Sequence, residues 1–127
     1  MDTFSKCIQQ CQTCHRVCLE TLNYCLQMEG RHRDPNLLRL LLDCADICHV
    51  TANFLMRNSP HHDLTCGICA DICNASAQEL ETFEEDQTML GCAYACRSCA
   101  QACEETTMQD LTAAVEGEEL AKTLPTE

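Results

Sequence analysis

The chain has 127 residues, 14 of them cysteine, with a formal net charge of −12 and a sequence pI near 4.6. That length suits one domain able to bury a core without covalent staples. The acidity argues against a nucleic-acid partner, whose phosphates this surface would repel, and no stretch approaches the roughly 20 apolar residues of a membrane span.

The start, MDTFSKCIQQC, lacks a basic segment, an apolar h-region and a small-residue cleavage site. It reads as a cytoplasmic chain, in which thiols stay reduced. Helix A is expected over roughly residues 4–29, with Gly30 just past its end. Asp34-Pro35 and Ser59-Pro60 each set an N-cap residue before a proline at the first helical position. They open helix B, about 35–57, and helix C, about 60–82. Glu84-Glu85-Asp86 interrupts the pattern, with Asp86 or Thr88 as the cap of helix D, about 87–108. Residues 109–127 form an acidic extension, helical as far as Val115 with Gly117 as a stop, or frayed. Strand signals are nearly absent and the loops are short. The expected fold is therefore all-α, an antiparallel up-down-up-down four-helix bundle over residues 1–108.

The cysteines follow the helix period. Helix A carries Cys7, Cys11, Cys14, Cys18 and Cys25, and helix B carries Cys44 and Cys48. Helix C carries Cys66, Cys69 and Cys73, and helix D carries Cys92, Cys96, Cys99 and Cys103. Every gap within a helix is 3, 4 or 7 residues, so at about 100° per residue each set falls on one stripe. Leu37, Leu41 and Leu55 in helix B, and Ala77 and Leu80 in helix C, continue the stripes and mark them as core-facing. The pattern CxxxCxxCxxxC occurs twice, from Cys7 and from Cys92, and a shortened CxxCxxxC runs from Cys66.

Simple packing is a poor account, because Leu, Ala or Val would fill that volume without the risk of oxidation. Disulfides fit badly as well. Cβ atoms three or four residues apart on a helix are about 5–6 Å apart, against the roughly 3.5–4.5 Å of a bridge. Sulfur-only sites suit Cu(I), Zn(II) or iron–sulfur clusters. Zinc wants closed sets of four, and several doubly negative sites are hard to bury in one apolar core. Iron–sulfur patterns are typically loop-borne and end in Cys-Pro, which does not occur here. Cu(I) accepts two or three thiolates, shares them along a seam, and replaces one thiol proton per ion, so the core stays near neutral. Multiple Cu(I) ions are thus the expected cargo, for storage, buffering or detoxification. A zinc or cadmium site, or a structural-metal scaffold, is the alternative.

In an antiparallel bundle Cys7, Cys11, Cys48, Cys66, Cys69, Cys99 and Cys103 lie towards one end. Leu37, Leu41, Leu80, Phe83 and Met89 plug the other, with Cys25 the nearest thiol. His62, on the helix C seam, with His61 and Met56, are candidate access ligands at the thiol-rich end. His15 and His49 lie off their seams and read as flank residues, and His32 reads as a solvated loop residue. No catalytic residues are expected: Cys14-His15 and Cys48-His49 are the only adjacent pairs, and helix neighbours diverge by about 100°.

Residues 4–106, with these seams and repeats, resemble the bacterial four-helix-bundle cysteine-rich copper-storage proteins. The resemblance implies that all fourteen cysteines are Cu(I) ligands, with histidine and methionine near an open end. It also implies a cytosolic homo-oligomer; a copper chaperone or a cuproenzyme is the further partner expected. Helix B departs from the pattern with only Cys44 and Cys48, the rest of its seam being Leu37, Leu41, Thr51 and Leu55.

Overall fold

A computed structural model describes residues 2–123, the side chain of Thr123 excepted. Its helices are α1 (Thr3–Leu26), α2 (Pro35–Met56), α3 (His62–Leu80) and α4 (Gln87–Thr123), with a 3-10 turn at Gly30–Arg33. α1 packs on α2 and α4, and α3 packs on α2 and α4, which closes a ring in chain order. Short links make each helix antiparallel to the next. No described helix is long and apolar enough to cross a membrane.

Three aspartates start three of the helices. Asp2 accepts from the Ser5 backbone N–H at 2.7 Å, and Asp34 from that of Asn36 at 3.0 Å, with Pro35 in the first turn. Asp86 accepts from the N–H groups of Thr88 and Met89 at 3.1 and 3.2 Å, so Asp86 rather than Thr88 caps α4. Each bond satisfies a donor that the helix itself leaves orphaned.

The second proline signal is displaced. Ser59 does not cap a helix beginning at Pro60. Its Oγ accepts from the His61 N–H at 3.1 Å and its carbonyl from the His62 N–H at 3.2 Å, so α3 starts two residues later. The end of α2 accounts for the shift. Asn58 takes φ +52°, with Ser59 N–H bonded to the Phe54 carbonyl and Asn58 N–H to that of Leu55. This left-handed cap and its two bonds form a Schellman motif, which uses Ser59 to finish one helix.

α1 ends at Leu26, earlier than expected, and Gly30 at φ +74° instead opens the 3-10 turn. α4 runs through Gly117 to Thr123. A single helical glycine costs about 1 kcal/mol relative to alanine, and the flanking Ala113, Ala114, Glu116, Glu118 and Leu120 are adequate or strong helix formers.

One end of the core is aliphatic: Leu37, Leu41, Leu80 and Met89 are fully buried, beside Phe83. Full burial of each large side chain contributes about 1.5–3 kcal/mol. Above this plug the Tyr24 hydroxyl donates to Asp86 Oδ2 at 2.8 Å, and His32 Nε2 donates to the same oxygen at 2.7 Å. His32 is therefore not solvated. Its ring packs at a tilt against Phe83, with centroids 4.7 Å apart, and the Phe83 face also carries the Arg31 guanidinium at 4.2 Å.

Candidate metal centre

All fourteen cysteines are free thiols at 0% exposure, spread over the four inward faces. The helix period puts several sulfurs from each helix at successive heights, and the ring arrangement brings those heights together. Twelve of them fall into five sets whose sulfurs all lie within 4.8 Å of one another. Cys7, Cys66 and Cys103 form the outermost set, followed by Cys11, Cys69, Cys99 and Cys103. Next come Cys48, Cys69, Cys73 and Cys99, then Cys14, Cys44, Cys48 and Cys73, and finally Cys14, Cys18, Cys44 and Cys96. Consecutive sets share one or two sulfurs, so the five make a single ladder along the bundle axis.

The spacing of the ladder is that of metal thiolates. Cys44 and Cys73 lie 3.6 Å apart, Cys48 and Cys69 3.7 Å, and Cys14 and Cys96 3.8 Å. A three- or four-coordinate ion with metal–sulfur bonds of about 2.3 Å holds its sulfurs about 3.8–4.0 Å apart. A disulfide needs about 2.0 Å. The sulfurs therefore need little movement to close on metal.

Mutual hydrogen bonding prepares the thiols for ionisation. Cys14 and Cys18 share a hydrogen bond at 3.9 Å, which lowers the Cys14 pKa, while that bond and burial push Cys18 up. Ionising one thiol of such a pair therefore opposes ionising its neighbour until a cation arrives. Beyond the ladder Cys92 lies 4.0 Å from Cys18. Cys25 is furthest in; its S–H donates to Met89 Sδ at 3.6 Å, and burial pushes its pKa up to about 11. Met89, read from the sequence as plug alone, also faces a thiol.

At the outer end Phe4 precedes Cys7 by three residues, His62 precedes Cys66 by four, and Asp110 follows Cys103 by seven. Each continues its seam one or two turns outward, over the Cys7–Cys66–Cys103 set. They touch one another: the Phe4 and His62 rings meet edge to face at 4.7 Å, and His62 Nε2 donates to Asp110 Oδ2 at 2.6 Å. His62 Nδ1 donates to the Ser59 carbonyl at 2.8 Å. Burial disfavours the charged ring, but the Ser59 and Asp110 acceptors outweigh it, and the His62 pKa is raised. With both ring nitrogens engaged, His62 must release Asp110 before Nε2 could meet a metal ion. Neither Phe4 nor Asp110 was singled out in the sequence, since an apolar residue and an aspartate carry no ligand pattern.

His61 stands exposed at the start of α3. Met56, expected beside it, lines a pocket with Gln12, His15 and His49 on the α1–α2 face. Cys14 and Cys48 point into the ladder, whereas His15 and His49 pair with each other outside it.

A ring of four helices around a continuous file of thiols defines a metal-binding bundle that can take many soft cations. Comparison with known proteins agrees: the family model described as copper storage protein matches residues 1–108. The chain belongs to the copper storage protein family. It is 34% identical over 104 residues to the uncharacterized cysteine-rich protein YhjQ of Bacillus subtilis, covering 81% of this chain and 95% of that one. It is 31% identical to the Cu(I)-bound copper storage protein BsCsp3, with a TM-score of 0.76 over 82% of this chain and 97% of that one. A cytosolic copper storage protein from Streptomyces lividans, solved with five coppers, is 30% identical, with a TM-score of 0.78 over 84% and 92%.

Proposed function

We propose that this protein stores Cu(I) in its thiol ladder, with all fourteen cysteines as ligands. The sharing of sulfurs carries the reading: seven of the twelve laddered cysteines belong to two sets. Zn(II) takes four ligands and overlapping four-thiolate zinc sites would leave surplus negative charge in the buried core, whereas Cu(I) takes two or three thiolates and leaves the buried charge unchanged. Membership of the copper storage family and the Cu(I)-bound state of BsCsp3 support the same cargo.

Copper enters past His62 and His61 at the thiol-rich mouth, where imidazole holds it briefly before thiolate takes over. The protein acts in the cytosol, as the S. lividans relative does, and exchanges copper with a chaperone or a cuproenzyme. Its role is storage rather than catalysis, a reading supported by the complete burial of every thiol. Self-association is supported by the exposed Leu64, Ile68, Met108 and Leu111 on α3 and α4.

The test is an anaerobic Cu(I) titration of reduced protein against a coloured chelator, following thiolate-to-copper absorption. Binding of about ten or more ions before the chelator colours is the expected result. Saturation at one or two ions, or equal competition by zinc, would replace storage with a structural metal.

A further inference from the structure

The α1–α2 face carries a group of donors that the thiol ladder does not use. Gln12, His15, His49, Ala52, Asn53 and Met56 line a cavity of about 330 Å³. His15 immediately follows Cys14, and His49 immediately follows Cys48, so the cavity lies outside the middle of the ladder.

The two imidazoles are 5.0 Å apart between ring centroids, with planes inclined by 33°. Two histidines sharing one tetrahedral ion, each with a metal–nitrogen bond of about 2.0 Å, have centroids about 5 Å apart. The His15 Nδ1–H donates to the Ala45 carbonyl at 2.9 Å, so Nε2 is the ring nitrogen available to a metal ion. A backbone carbonyl on the second ring nitrogen is the usual support of a metal-bound histidine. Ala45 stands four residues before His49, so the helical bond of the His49 backbone uses the same carbonyl. The two rings are therefore referred to one point of α2. Met56, seven residues after His49, returns to the same face two turns on and brings a thioether. Ala52 between them is too small to close the space. Two imidazoles and a thioether make a neutral, soft donor set, which suits Cu(I) better than Zn(II) or Mg(II).

We propose that His15, His49 and Met56 bind one Cu(I) ion on the α1–α2 face, outside the thiol core. This rests on the copper-storage reading for the identity of the metal. Thiolates outcompete neutral donors, so the lateral site fills after the ladder does.

The experiment is a histidine-detected titration: ¹⁵N-labelled, reduced, full-length protein receives Cu(I) anaerobically while thiolate absorption is followed in parallel. Beyond the absorption plateau, one further equivalent should move the His15 Nε2 resonance and a ring nitrogen of His49. H49A and M56L should each weaken that last step at least tenfold and leave the plateau at the same copper number; both positions are exposed, so neither substitution disturbs the core. Ring nitrogens that stay at their free values past the plateau overturn the proposal, as does a last step that persists in both variants. Histidine shifts at one equivalent without any thiolate absorption would sink the storage reading and leave the lateral site standing.

Discussion

His62 and Asp110 meet at 2.6 Å across the mouth of the bundle, joining the first turn of α3 to the part of α4 beyond residues 1–108. If the pair latches the outermost thiols, its breaking should open the mouth. Because the His62 pKa is raised, its contribution is complete below the ordinary histidine pKa of about 6.5 and is lost as pH rises through the raised value. Amide protection around Asp110 should therefore fall over that window. D110N should lower the His62 pKa in an NMR titration and speed the first phase of Cu(I) uptake. An unchanged His62 titration in D110N would remove the latch.

Cys48 and Cys25 should respond very differently to replacement by serine. Cys48 belongs to two sets of the ladder, whereas Cys25 belongs to none and touches Met89. C48S should lower the copper number by about two and C25S by one at most, read from chelator competition. Equal losses would mean that the ions are not bridged.

Asp86 joins three elements, capping α4 while holding Tyr24 of α1 and His32 of the 3-10 turn. Burial works to raise its pKa, but the bonds from His32, Tyr24 and the Met89 amide overcome this and hold it below the usual carboxylate range. Its stabilisation is present above the ordinary aspartate pKa of about 3.9 and fades as pH falls through the lowered value. D86A should cost about 2 kcal/mol at pH 7, and the difference from the parent chain should shrink in strong acid. Chemical denaturation at several pH values measures both.

Leu41, at 1% exposure, anchors the aliphatic plug. L41A should destabilise the copper-free protein by about 2–5 kcal/mol, the lost burial plus the cavity left in the plug. Copper binds the folded state, so loading should restore much of the lost melting temperature. Calorimetry of both forms checks this, with the copper number expected to stay at the parent value.

Much of this arrangement was legible in the chain. The 3-4-7 spacing of the cysteines placed every thiol inward, because a helix repeats its faces whatever its partners. Asp34-Pro35 marked a true helix start for the same local reason. Ser59-Pro60 misled by two residues, because the left-handed Asn58 before it drew Ser59 into the end of α2. His32 looked solvated between two arginines; only the approach of Asp86, 54 residues away, gives it a partner. The His62–Asp110 latch and the His15–His49 pair were hidden likewise, since each spans two helices whose relative height no spacing reveals.

The overlap of the five thiol sets also orders traffic in time. Between the innermost set and its neighbour the shared sulfurs are Cys14 and Cys44; further out they are Cys48 and Cys73, then Cys69 and Cys99, then Cys103 alone. An ion moving along this route gains its next ligand before losing its last, so it never crosses the core naked. Ions sharing such a lane cannot overtake. The narrowest link in this route is the outermost one, where two sets share the single sulfur of Cys103.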